Sequence, residues 1–250
     1  MLLYLVLYCY CIMISLKKMF FFLFLPFLTL MFSCVTEITG VIREGGAAEL
    51  TLDTTMGPRT TALIRSLRAF AGDEANAPIL DGSAITSSMA LAPGVRAVSL
   101  RNTGPEVMVG SISISNLGNF LTLPNVENQF VTFTEGRSAS SIVVLLDKAS
   151  APQLISLLSP EISDYLSALM APVVLGETMT ASEYLNLVAS VYSRPLANEI
   201  AEARIRVTIE FPRPVTSIHG GTFSGTRAEF DISLLDILVL ERPLRYEVNW

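Results

Sequence analysis

Cys34, His219 and the carboxylates Glu229, Asp231 and Asp236 are the residues of this chain whose types and positions could do chemistry. A thiol can serve as a nucleophile, a metal ligand or a site of covalent modification. A Ser-His-Asp site needs a histidine, and two carboxylates suffice for glycoside-type hydrolysis. His219 is the single histidine and stands in Ile218-His219-Gly220-Gly221, a turn pattern. The neighbouring Gly221-Thr-Phe-Ser224-Gly225 misses the nucleophile-elbow spacing by one position. One histidine with scattered carboxylates gives no metal-ligand spacing. Glu44-Gly45-Gly46 and Gly220-Gly221 read as turns rather than phosphate-binding loops. Asp236, between Leu235 and Ile237, lies in an apolar stretch where a charge needs a partner, which Arg227 or Arg242 would supply. A structural ion pair is the expected role of such an acid. No catalytic residue, metal or cofactor is assigned, and a carboxylate-dependent hydrolase is the last of three readings.

Cys34 carries more. Met19 to Phe32 is an uncharged apolar run of 14 residues, preceded by Lys17 and Lys18 and followed by Ser33. A basic start, an apolar centre and a small residue before a cut make a secretory signal. The run is shorter than the ~20 residues that a spanning helix needs. With a cysteine directly after the small residue, the segment resembles the lipobox of a bacterial lipoprotein precursor, of the looser spirochaete type. Ser33 fits that pattern; Met31 and Phe32 depart from it. The resemblance implies cleavage before Cys34 and a diacylglyceryl group on its sulfur, with fatty acids such as palmitate. An uncleaved N-terminal anchor is the alternative. Residues 1–12 are apolar and lie upstream of the lysines, so Met13 is the expected start.

Two regions follow: a signal over 1–33 and a single domain over 34–250. The domain retains 15 basic against 23 acidic residues, a net charge of −8. Such a surface is unsuited to nucleic acid and gains no general attraction to anionic headgroups. Of the three cysteines, 9 and 11 lie in the signal, so the domain keeps Cys34 alone and no disulfide framework. Its stability must come from its core, for which 217 residues are ample.

The elements expected to position these residues are mixed. Val35 to Thr54 alternates apolar and polar residues around Gly45-Gly46, a hairpin pattern. Pro58 opens a helix with Leu63, Ile64, Leu67 and Phe70 on one side, ended by Gly72. A short helix is expected between Gly82 and Leu91, and strands over Val95–Asn102, Val107–Ser115, Phe130–Phe133 and Ser141–Leu146. Residues 149–202 read as a helical insertion with a capping box at Thr180-Ala-Ser-Glu183. Strand patterns return at Ile205–Phe211, Thr222–Ile232 and Leu244–Trp250; Leu234–Leu240 fits a buried strand or one helical turn. The fold class is α+β: a mostly antiparallel sheet with helices on one face and the helical insertion.

The hairpin, the helix, the Leu91-Ala-Pro-Gly-Val95 lead into a strand pair, and the Phe230-Asp-Ile-Ser-Leu-Leu-Asp-Ile-Leu-Val-Leu240 ending resemble LppM-type bacterial lipoprotein domains. The resemblance covers roughly half of the domain by order of elements and departs at 149–202. It implies an envelope lipoprotein in contact with lipid and carries no catalytic residues. The expected function is that of a lipid-anchored binding or scaffold module in the bacterial cell envelope, held to its membrane by N-terminal acyl chains. It is expected on the periplasmic or outer-membrane face, with a lipid or an envelope protein as its further partner and no nucleic acid. Carriage of an apolar or lipid ligand is the second reading. The candidate groove is formed by Leu154, Leu158, Tyr165, Leu169, Tyr184 and Val188, because the insertion holds more apolar residues than a solvated helix pair needs.

Overall fold

The computed structural model describes residues 34–71, 78–121, 130–156, 167 and 169–250. Contacts divide the chain into two units, Met1–Ser33 and Cys34–Trp250. The expectations for 1–33, Gly72, Leu158 and Tyr165 lie outside the described residues, as does the side chain of Leu154.

Strands β1 (Val35–Ile42) and β2 (Ala48–Thr55) form the expected hairpin, in register from Val35↔Thr55 to Ile42↔Ala48. Gly45 and Gly46 turn it with φ of 81° and 76°, a region open to glycine and costly for a residue with a Cβ. Helices α1 (Pro58–Ala71) and α2 (Gly82–Met89) follow, then β3 (Val95–Gly104) and β4 (Val107–Ile114). Asp81 caps α2 by accepting from the N–H groups of Ser83 and Ala84. A short α3 (Leu117–Leu121) precedes β5 (Val131–Thr134) and β6 (Ser141–Leu146). The insertion is helical where described: α4 (Ala151–Ser156), α5 (Ala171–Val174), α6 (Ala181–Val191) and α7 (Arg194–Glu202). The chain ends with β7 (Arg204–Glu210), β8 (Ser217–His219), β9 (Thr222–Ser224), β10 (Arg227–Ser233), α8 (Leu234–Val239) and β11 (Leu244–Asn249).

The fold is α+β, and its strands make two sheets. The larger runs β3-β4-β2-β1-β7-β10-β9, antiparallel except where β1 lies parallel to β7. The smaller runs β5-β6-β11-β8 and is antiparallel throughout. Thr222–Ile232 is not one strand: Gly225, at φ 60°, breaks it into the β9–β10 hairpin. Leu234–Leu240 resolves to the helical alternative. Ser233 caps α8 through a bond from the Asp236 N–H, and Leu240 closes it at φ 44°. A leucine in the left-handed region costs about 1–2 kcal/mol. Leu240 is buried, and removing a leucine side chain from water returns about as much.

Two apolar clusters occupy the two ends of the strands. One joins Ile42, Ala48, Ile114, Phe211, Val248 and Trp250, at the far ends of β1, β4, β7 and β11. The other joins Leu146 and Leu244, at the opposite end of the smaller sheet, to α5, α6, α7 and α8. In the larger sheet, α1 follows β2, α7 leads into β7 and α8 follows β10, all at the end where β1 begins. The domain therefore has a helical end, where Cys34 enters, and an opposite end closed by aromatic rings.

Candidate lipid-anchoring end and apolar helical face

Cys34 immediately precedes β1, and its carbonyl accepts from the Arg204 N–H at 3.0 Å, one step before the Val35↔Arg204 pairing. No free linker separates the cysteine from the sheet. Cys34 as a residue is half-buried. Burial pushes the thiol pKa up, the backbone N–H of Gly57 opposes that rise, and the carboxylate of Glu199 adds to it. A thiol held protonated is a poor nucleophile and a poor metal ligand in the folded state.

Glu199 organises this corner. It is only 6% exposed on α7, yet it closes the first turn of α1. Its two carboxylate oxygens accept from Arg59 N at 2.9 Å, from Thr60 N at 2.7 Å and from Thr60 Oγ1 at 2.7 Å. The first amides of a helix need acceptors, and the helix dipole favours an anion there. Gly57 makes room for it, since a Cβ at that position would come within 2.2 Å of the Glu199 carboxyl carbon. At the other end of α7, the Arg204 guanidinium donates to Ala201 O and Ala203 O, both at 2.9 Å.

The sequence did not single out Glu199. A signal was present: Met56-Gly57-Pro58 opens a helix with no Ser, Thr, Asp or Asn at its cap, so the acceptor had to come from elsewhere.

Of the candidate groove, Tyr184 (2% exposed) and Val188 are buried in the helical cluster beside Leu196 and Ile200. The Tyr184 hydroxyl donates to Leu169 O at 3.0 Å, and Leu169 packs half-buried against the same cluster. Burial, with a smaller contribution from Tyr192, drives the Tyr184 hydroxyl pKa well above its ordinary value. The capping box of α6 is complete. Thr180 Oγ1 accepts from Glu183 N at 3.2 Å, and the Glu183 carboxylate accepts from Thr180 N at 2.8 Å. The outer side of α6 carries exposed apolar residues, Leu187 at 43%, Val191 at 61% and Tyr192 just past its end at 48%, among the exposed polar residues Ser182, Glu183, Asn186 and Ser190. Arg194 stands beside that side and reaches Asn186 Oδ1 at 3.4 Å. In the turn after α5, Leu175 is exposed and Lys148 donates to Glu177 O at 2.7 Å.

The acids singled out by sequence are not gathered into one cluster. Asp236 is exposed on the first turn of α8, where the helix dipole favours a carboxylate, and among the described residues it forms no ion pair. The expected pairing with Arg227 or Arg242 is therefore replaced: Arg227 binds Glu229 at 2.8 Å instead. Asp231 lies opposite Arg206, which binds Glu37 at 3.5 Å. Glu229 and Asp231 share an open cleft with Arg206, each acid beside an arginine. His219 is exposed and lies across the sheet from Glu247. At the end away from Cys34, Arg43, Arg137 and Arg213 line a cleft of about 240 Å³ with Phe133 and Trp250, whose rings stack at 6.2 Å. Among the described residues no helix is long and apolar enough to cross a membrane, and no three His, Cys, Asp or Glu side chains converge.

No family model matches the chain, and no curated protein matches it. Among solved structures, the NMR structure of the folded domain of LppM from Mycobacterium tuberculosis is similar with a TM-score of 0.42 and 12% identity, over 87% of this chain and 88% of that one.

Proposed function

We propose that the chain is a lipid-anchored protein of the bacterial cell envelope, whose 34–250 domain binds or scaffolds a partner without catalysis. One observation carries the reading: the second of the two compact units begins at Cys34, the residue that the lipobox resemblance marks as the first of the processed chain. Cleavage before Cys34 leaves β1, Val35–Ile42, whole. Cys34 as a residue is partly exposed, so the start of the domain borders solvent. The test is membrane fractionation of cells expressing the chain and its Cys34→Ser variant. Retention of the first and release of the second supports the anchor; equal retention of both counts against it.

Carriage of an apolar ligand is the second reading, favoured by the apolar side chains of α5, α6 and the turns beside them that stay exposed. Native mass spectrometry of the purified protein decides it. A bound lipid that leaves when Leu187 and Val191 are changed to serine supports carriage, and a ligand-free protein opposes it.

A further inference from the structure

We propose that the helical end of the domain rests directly on the bilayer, with Leu187, Val191 and Tyr192 seated among the lipid headgroups beside the Cys34 anchor. The inference rests on the lipid-anchor reading and adds to it an orientation and a contact surface. Three observations carry it.

First, the anchor has no slack. Cys34 is bonded to Arg204 and runs straight into β1, so a lipid on its sulfur holds this end of the domain at the headgroups. Second, the apolar stripe lies at that end. Glu199, beside Cys34, is on α7; α7 begins at Arg194, two residues after Tyr192. Five residues of helix and a two-residue step allow the C-terminal end of α6 to lie no farther than about 20 Å from Cys34. Third, the stripe has the chemistry of an interface. Leu187 and Val191 are one helical turn apart on the outer side of α6, while Tyr184 and Val188 fill the inner side. Tyr192 and Arg194 follow, residue types that settle between apolar chains and headgroups. Arg194 is exposed, donates from one guanidinium nitrogen to Asn186 Oδ1 at 3.4 Å and forms no ion pair among the described residues, so its other N–H groups can meet a lipid phosphate.

The far end supplies an internal control. Phe223 on β9 is 45% exposed, close to the 48% of Tyr192, and β9 pairs with the start of β10, away from Cys34. In water the two rings would be similarly open to hydroxyl radicals. The experiment is radical footprinting of the full-length lipidated protein in phosphatidylcholine vesicles, with intact mass recorded on the same sample. The expected result is Tyr192 labelled several-fold less than Phe223, unchanged on dilution of the protein in the membrane. Val191→Asp, an exposed position, should restore Tyr192 labelling with the lipid mass unchanged. Tyr192 and Phe223 labelled alike in a lipidated sample would overturn the docking alone. Protection that fades on dilution would assign the face to a second copy and also overturn it. A mass without lipid at Cys34 would remove the anchor reading, and the docking with it.

Discussion

Glu199 occupies the space that a Cβ on Gly57 would need, and from there it closes the first turn of α1, 139 residues back at Thr60. This contact ties the insertion to the corner where the sheet begins and sets the surroundings of Cys34.

Gly57→Ala forces the Glu199 carboxyl group out of a 2.2 Å contact. The expected loss is about 1–3 kcal/mol, the range for overpacking. Glu199→Ala leaves the part-buried donors of Arg59 and Thr60 without their acceptor and should cost about 1–2 kcal/mol. The two changes should not add: with Glu199 gone the clash is gone, so Gly57→Ala costs less in that background. Urea midpoints of the four proteins check this, and strict additivity would contradict it.

The raised pKa of Cys34 has a kinetic consequence. In the unlipidated chain with Cys9→Ser and Cys11→Ser, Cys34 should react with iodoacetamide at pH 8 more slowly than free cysteine, because less of it is thiolate. Glu199→Gln removes a negative charge that raises the pKa, so it should speed the reaction. A Cys34 that outpaces free cysteine would contradict the corner as described.

Tyr184 makes stability depend on alkaline pH. Its folded-state pKa is raised by burial, so its contribution is complete below the ordinary tyrosine value of about 10 and is lost as pH rises further. The unfolded chain releases that proton first. Denaturation from pH 8 to 11 should show stability falling above pH 10, with a shallower fall for Tyr184→Phe. The same variant should lose about 1 kcal/mol at neutral pH with the bond to Leu169 O.

Much of this was legible because its signals are local. Alternation around Gly45-Gly46 specified the first hairpin, and Thr180 with Glu183 marked the start of α6. The failures have a common cause. That β11 pairs with β6, about a hundred residues earlier, and that β1 lies parallel to β7 are long-range choices that no period of two encodes. Asp236 looked buried because its sequence neighbours are apolar, but on a helix they face elsewhere and the acid turns to solvent. Tyr184 and Val188 were drawn to notice by their apolar character, which here fills the core. Leu187 and Val191 carry the same character on the outside, and only a three-dimensional surface separates the two pairs.

Intact mass spectrometry of the protein extracted from membranes reads the anchor itself. The expected product is a chain that starts at Cys34 and carries the added mass of a diacylglyceryl group. A chain that keeps residues 1–33, or one that starts at an unmodified Cys34, would contradict it.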